Sequence, residues 1–224
     1  LCIEWIDSTK LDEEYKQTDG AGYDDAWAKI KSVDGIMVPG GFGIRAVEGK
    51  IAVAKYAREN GVPYLGVCLG FQVAVIEFAR NVLGYSSAQS AEFDEETPHK
   101  LVIFMPEVSR TQMGGTMRLG SRRTVLKNPQ CKTAQLYDGA TAFDERHRHR
   151  YEVNFDYVKE LEDKGMEFVG RDVSGERMEV FELHGHPYFV GCQFHPEFKS
   201  KPMKPSPLFY GLLEAAAAFS ETSK

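Results

Sequence analysis

Cys68 lies in Gly66-Val67-Cys68-Leu69-Gly70, between the apolar run Val62-Pro63-Tyr64-Leu65-Gly66-Val67 and the helix-like run Phe71 to Ala79. A glycine-flanked turn between a strand and a helix is a nucleophile's position, because small neighbours permit the sharp bend that lifts a side chain off the end of a sheet. An ordinary cysteine, with a pKa of about 8.5, is only a few per cent thiolate at neutral pH, so its reactive form needs a helix N-terminus and a histidine beside it. The chain carries six histidines, and the informative one is His195, in Phe189-Val190-Gly191-Cys192-Gln193-Phe194-His195-Pro196-Glu197. The apolar run reads as a strand, and Pro196 stops its ladder so that His195 and Glu197 can turn towards a neighbouring strand end. Cys68, His195 and Glu197 then make a nucleophile, a base and an orienting carboxylate, gathered in space from separate strand ends.

A third segment, Asp34-Gly35-Ile36-Met37-Val38-Pro39-Gly40-Gly41-Phe42-Gly43, is a short strand opening into a glycine-rich loop. Such loops present backbone N–H groups, and a tetrahedral intermediate on Cys68 needs two. The candidates are the N–H of Gly41 and that of Leu69, the residue after the nucleophile, and one such donor is typically worth about 3 to 4 kcal/mol of barrier.

The elements that must hold these groups alternate. Helix is predicted over Tyr23 to Ser32, Glu48 to Asn60 and Leu69 to Leu83, and strand over Gly35 to Pro39 and Val62 to Val67. That succession implies βαβ units and an α/β fold around a central, mostly parallel sheet flanked by helices. From Thr97 to Val125 the pattern breaks into short apolar runs. Strands recur at Glu167 to Val173, Glu179 to Leu183 and Phe189 to Phe194, and these look antiparallel and edge-like. An apolar stripe over Pro207 to Phe219 predicts a helix covering one sheet face, with fraying from Ser220. Leu1 to Ile6 reads as strand-like.

Hydrophobic residues make up 42% of the 224 positions, enough for one sizeable core, so a single domain over residues 1–224 is expected. The chain starts at Leu1 rather than methionine, which suggests that it is part of a longer polypeptide. The net charge of −6 argues against a general nucleic-acid surface, and no window approaches the ~18 apolar residues of a membrane span. Cys2, Cys131 and Cys192 lie far apart without a CxxC pair and read as inert cysteines of a reducing compartment. His147/His149 and His184/His186 form two HxH pairs lacking cysteine or carboxylate at finger-like spacing, so no metal is expected.

Pro39 to Gly43, Gly66 to Gly70 and His195-Pro196-Glu197, in that order, resemble the motifs of class I glutamine amidotransferase domains. Gln112-Met113-Gly114-Gly115-Thr116-Met117-Arg118-Leu119-Gly120, Glu145 to Asn154 and Gly175 to Glu179 narrow the resemblance to the glutaminase halves of CTP synthases. It runs over essentially the whole chain. One departure is Phe71, where methionine is common in the family; both are apolar.

The resemblance implies the class I amidotransferase fold and hydrolysis of L-glutamine to glutamate and ammonia through a cysteine thioester. It implies that Gly41, Phe42, Leu69, Gly70, Phe71, Gln72, Glu92 and Arg150 surround glutamine. Charge suggests that Arg150 grips the α-carboxylate and Glu92 the α-ammonium. Read without the family, Glu92 is a solvated loop carboxylate beside Asp94, Glu95 and Glu96, and Arg146 to Arg150 a solvated basic patch.

No cofactor is implied for this domain. ATP and Mg belong to an N-terminal amidoligase domain that converts UTP to CTP with the ammonia, in a cytoplasmic enzyme that forms tetramers. The glutaminase is expected to be slow alone, with its partner completing the loop at Gly40 to Gly43. Two other functions fit the same elbow: a stand-alone γ-glutamyl hydrolase, and a non-catalytic regulatory or assembly module.

Overall fold

The computed structural model describes residues 1–105 and 117–222. In chain order the helices are α1 (Glu13–Thr18), α2 (Gly20–Ser32), α3 (Val47–Asn60), α4 (Leu69–Phe78), α5 (Lys132–Leu136), α6 (Val158–Asp163) and α7 (Pro207–Thr222). The strands are β1 (Ile36–Val38), β2 (Tyr64–Val67), β3 (Gln89–Ser90), β4 (Lys100–Phe104), β5 (Arg118–Leu126), β6 (Ala142–His149), β7 (Tyr151–Val153), β8 (Met166–Arg171), β9 (Met178–Leu183) and β10 (Phe189–Cys192). Among the described residues they form a seven-stranded sheet, ordered β1-β2-β10-β9-β8-β5-β6, and a three-stranded sheet, β3-β4-β7.

The α/β architecture is the expected one, and its parallel part is compact. β2 pairs in parallel with β1 on one side and β10 on the other. From β10 onward every ladder of the large sheet is antiparallel. The strands expected to form a smaller, edge-like antiparallel region continue the central sheet, and antiparallel pairing takes the larger share of it. Connection length agrees with this: β8, β9 and β10 are joined by short turns, which suit antiparallel pairing, whereas the segment between β1 and β2 carries α3 and is long enough for a parallel crossover.

Side chains on β2 and β10 alternate between two layers. Tyr64 and Phe189 stack at 4.6 Å on the face covered by α3 and α4, whereas Leu65, Val67, Val190 and Cys192 face α5 and α7. All ten residues of α4 are buried. That follows from a helix apolar all round, and it seats α4 between the two sheets. Glu77, the charged exception, has a fully buried side chain and is paired with Arg58 of α3 at 2.8 Å.

The helix after Cys68 is α-helical only to Phe78. It widens into a π-helical turn over Ala79–Leu83 and stops at Gly84, whose φ of 83° suits glycine. Residues 1–6 form no strand, and α7 continues through Ser220 to Thr222. Residues 112–116 of the Gln112 to Gly120 motif lie outside the described residues, while its end opens β5.

Candidate active site

β2 ends at Val67, and Cys68 turns the chain into α4 with φ 51° and ψ −97°. A non-glycine residue in this region is strained, and its neighbours hold it there. The Cys68 N–H donates to the Cys192 carbonyl at 2.7 Å, which extends the β2–β10 ladder through the bend. The Gln72 N–H donates to the Cys68 carbonyl at 3.1 Å, which closes the first helical turn. Gly70 lets that turn sit flush on β1, since a Cβ there would lie 2.1 Å from the Val38 carbonyl oxygen.

His195 leaves the end of β10 with its N–H donating to the Arg146 carbonyl of β6 at 2.8 Å. One 3₁₀ turn, Pro196–Phe198, then carries Glu197 back so that its Oε1 lies 2.6 Å from His195 Nδ1. That contact leaves Nε2 buried and facing the Cys68 sulfur, without an aligned hydrogen bond of its own. Unliganded catalytic pairs commonly have this open geometry and tighten around substrate. Burial by itself lowers the His195 pKa, but interaction with the Cys68 sulfur and with Glu197 outweighs burial and lifts it to about 10. Burial pulls Glu197 the other way, and the bond to His195 leaves its carboxyl below the usual carboxylate range. An imidazolium held between two groups that favour its charge can protonate a leaving amine.

The glycine loop lies directly over this pair. A Cβ on Gly40 would come within 2.8 Å of His195 Cε1 and 3.4 Å of Cys68 Cβ, and one on Gly41 within 3.2 Å of Leu69 Cδ2. Gly41 thus lies against the Leu69 side chain, and the Leu69 N–H, at the first position of α4, has no partner within the helix.

The remaining residues expected around glutamine divide. Phe42 is half-exposed, with the Arg148 guanidinium over its ring at 5.6 Å. Glu92 accepts from the Gly43 N–H at 3.4 Å, so it is tied to the glycine loop. Burial raises its pKa, against the pull of that bond and of the Arg150 charge. Arg150 is exposed just past β6. The side chain of Phe71, by contrast, points into the core, stacked on Phe181 at 5.2 Å, so only its backbone is available to a ligand. Gln72 is buried and committed inside the protein: its Nε2 donates to the Tyr151 carbonyl and to Gln193 Oε1, both at 3.0 Å.

Sequence reasoning missed Gln193, whose Nε2 lies 3.6 Å from the Cys68 sulfur. The signal was a polar residue closing an apolar strand two positions before His195, where the two-residue period puts both on one face. It also missed a buried cluster behind the site. His149 Nδ1 donates to the Tyr151 carbonyl at 2.9 Å, which leaves its Nε2 to accept from His147 Nδ1 at 3.0 Å. His147 Nε2 then meets Glu179 Oε2 at 3.1 Å, and Arg118 pairs with the other carboxylate oxygen.

Burial drives the His147 pKa down to about 2 and that of Glu179 up to about 7. His147 is therefore a neutral imidazole, and neither its Nε2 nor Glu179 Oε2 has an aligned hydrogen bond at this contact. The second HxH pair does not converge: His184 bonds Glu167 at 2.7 Å and His186 the Ala57 carbonyl at 3.1 Å. The cysteines are free; Cys2 is exposed, and burial raises the Cys131 thiol to about 11 and pushes Cys192 up strongly.

An α/β sheet that presents a cysteine elbow, a His–Glu pair and a glycine loop at its carboxyl edge is an architecture shared by a class of enzymes. The chain belongs to the class I glutamine amidotransferase family, whose sequence pattern matches residues 8–215. Within it, the chain is similar to CTP synthases: it is 54% identical to CTP synthase 1-A of Xenopus laevis and 53% to CTP synthase 1 of Homo sapiens, in each case over 96% of this chain and 36% of the relative. It thus spans about a third of the length of these relatives. The solved glutaminase domain of Trypanosoma brucei CTPS, with bound acivicin, superposes with a TM-score of 0.87 at 41% identity, covering 97% of this chain and 81% of that one. A GMP synthase subunit from Thermoplasma acidophilum, 16% identical with a TM-score of 0.59, shares the fold.

Proposed function

We propose that this domain hydrolyses L-glutamine with Cys68 as nucleophile, His195 as acid and base, and Glu197 as the group that orients His195. The observation that carries this reading is the strained Cys68, at φ 51°, facing a histidine whose far nitrogen is 2.6 Å from a carboxylate. The Cys68 thiolate attacks the carboxamide carbon, and the oxyanion is held by the N–H groups of Gly41 and Leu69. His195 gives its Nε2 proton to the departing nitrogen, and ammonia leaves a γ-glutamyl thioester. Water then attacks, His195 takes its proton, and collapse releases glutamate and the thiolate. Arg150 and Glu92 hold the two charged ends of the amino acid, with Phe42 and the backbone of Leu69 to Gln72 around the carboxamide.

The ammonia serves a separate amidoligase domain that uses ATP and Mg to convert UTP to CTP in a tetrameric cytoplasmic enzyme; the relatives' name, CTP synthase, supports the product alone. That partner also aligns the loop at Gly40 to Gly43, so glutamine turnover rises when it is present. The test is labelling with the electrophilic glutamine analogue diazo-oxo-norleucine, followed by peptide mapping. One adduct on Cys68, suppressed by excess glutamine, is expected; adducts scattered over the four cysteines, or none, would overturn the assignment.

A further inference from the structure

We infer that Gln193 is itself part of the thiol site, donating a side-chain N–H to the Cys68 sulfur, and that Gln72 is the positioning residue that holds Gln193 in the donating sense. The inference deepens the reading of Cys68 as the glutaminase nucleophile and rests on it.

The direction of the chain is set at its far end. The Tyr151 carbonyl can only accept, so the Gln72 atom 3.0 Å from it is the nitrogen. The second hydrogen on that nitrogen meets Gln193 at 3.0 Å, so Oε1 of Gln193 must face Gln72. The nitrogen of Gln193 is then the end left towards Cys68 Sγ, at 3.6 Å. Rotating the Gln193 amide by half a turn would oppose two NH₂ groups at one contact and set an oxygen against the sulfur at the other. Because the same Tyr151 carbonyl also accepts from His149, both its lone pairs are taken and Gln72 has no competing orientation.

Burial gives this relay its leverage. Relative exposure is 3% for Gln72, 1% for Gln193 and 4% for Cys68, so water is a poor substitute donor. The Gln193 main chain is fixed as well, its N–H donating to the Glu179 carbonyl at 2.8 Å. A neutral thiol gains little from an N–H donor, whereas a buried thiolate gains a charge-assisted bond. The sulfur is anionic before attack and again as the thioester collapses, and neutral between, so the donor favours both ends of the cycle. The other titratable groups at this sulfur are His195 and Cys192.

The test compares Gln193→Met, Gln193→Glu and Gln72→Met with the parent in the full chain. Iodoacetamide labelling of Cys68 is followed against pH by peptide mass mapping, alongside glutamine turnover and thermal midpoint. Gln193→Met keeps the length and loses the donor. Its half-maximal labelling pH should rise by about half to one unit, with kcat about 3- to 10-fold lower and KM within about two-fold, because the lost bond acts on the sulfur and not on bound glutamine.

Gln193→Glu should move the profile further in the same direction. Gln72→Met should move it less, since the Gln193 amide becomes free to turn. A profile for Gln193→Met that superimposes on the parent overturns the inference, as does a fall in kcat accompanied only by a lower thermal midpoint. Should Gln193→Met fail to fold, an unshifted profile in Gln72→Met has the same force. Labelling needs no glutamine, so a shifted profile upholds Gln193 even if the glutaminase reading fails, and an unshifted one beside normal turnover overturns Gln193 alone.

Discussion

Gly40→Ala should disable the site while leaving the fold intact. The added Cβ would sit 2.8 Å from His195 Cε1, where ordinary contacts begin near 3.4 Å, so 3.4 − 2.8 = 0.6 Å of clearance is missing. The imidazole is poorly placed to yield, since Glu197 holds Nδ1 at 2.6 Å and the Phe198 ring lies 5.5 Å away, centroid to centroid. Misplacement by 1 Å can cost about 100-fold, so a shift of roughly half that or more should lower kcat about 10- to 100-fold, or ~1.4 to 2.7 kcal/mol of barrier.

Gly40 lies in a loop after β1 and fills no core volume, so stability should stay within ~0.5 kcal/mol of the parent. Gly41→Ala is the control: its Cβ would meet the flexible end of Leu69 at 3.2 Å, which needs a shift of only a few tenths of an ångström, and a loss of a few-fold is expected. The assay is glutamate release at saturating glutamine, with a urea melt of each variant. A Gly40→Ala enzyme within three-fold of the parent, or a Gly41→Ala enzyme more damaged than Gly40→Ala, would refute the placement of the loop over His195.

Arg58→Ala leaves the fully buried Glu77 carboxylate without its cation and should cost about 3 to 5 kcal/mol, read from urea melts, while Arg58→Met with Glu77→Leu should recover most of it. Glu152 is buried enough that its pKa rises from 4.5 to about 7, so the stability it contributes is complete below pH 4.5 and is lost as the pH climbs through 7. Glu152→Gln should therefore flatten the fall in stability between pH 4.5 and about 7, and an unchanged slope in urea midpoints would refute this. Glu92→Gln and Arg150→Ala should each raise the KM for glutamine strongly with a smaller effect on kcat; an ordinary KM in both removes them from the substrate site.

Much of the site was legible because its chemistry is local. Gly66 to Gly70 announces an elbow through glycine spacing, and His195-Pro196-Glu197 places base and carboxylate two residues apart, where one tight turn joins them at 2.6 Å. Other parts were illegible because single residues gave no sign of their neighbours. Glu92 looked like one of several loop carboxylates until the Gly43 N–H was found on it. Phe71 is next to the catalytic turn in sequence, yet faces Phe181, because side chains on a helix are spread around its axis at about 100° per residue and α4 is buried on every side.

Residue type and period thus determined the nucleophile, the strand–helix alternation and the apolar character of β2, α4 and α7, since those properties depend on neighbours within a few positions. Tertiary structure alone decided that β10 lies beside β2, which brings His195 to Cys68 across more than a hundred residues of chain. It alone decided that the antiparallel strands extend the same sheet and that Gln72, Gln193 and the Tyr151 carbonyl form one buried line to the sulfur. Those contacts join residues far apart in the chain, and a polar side chain's partner is set by which strand ends the sheet order places together.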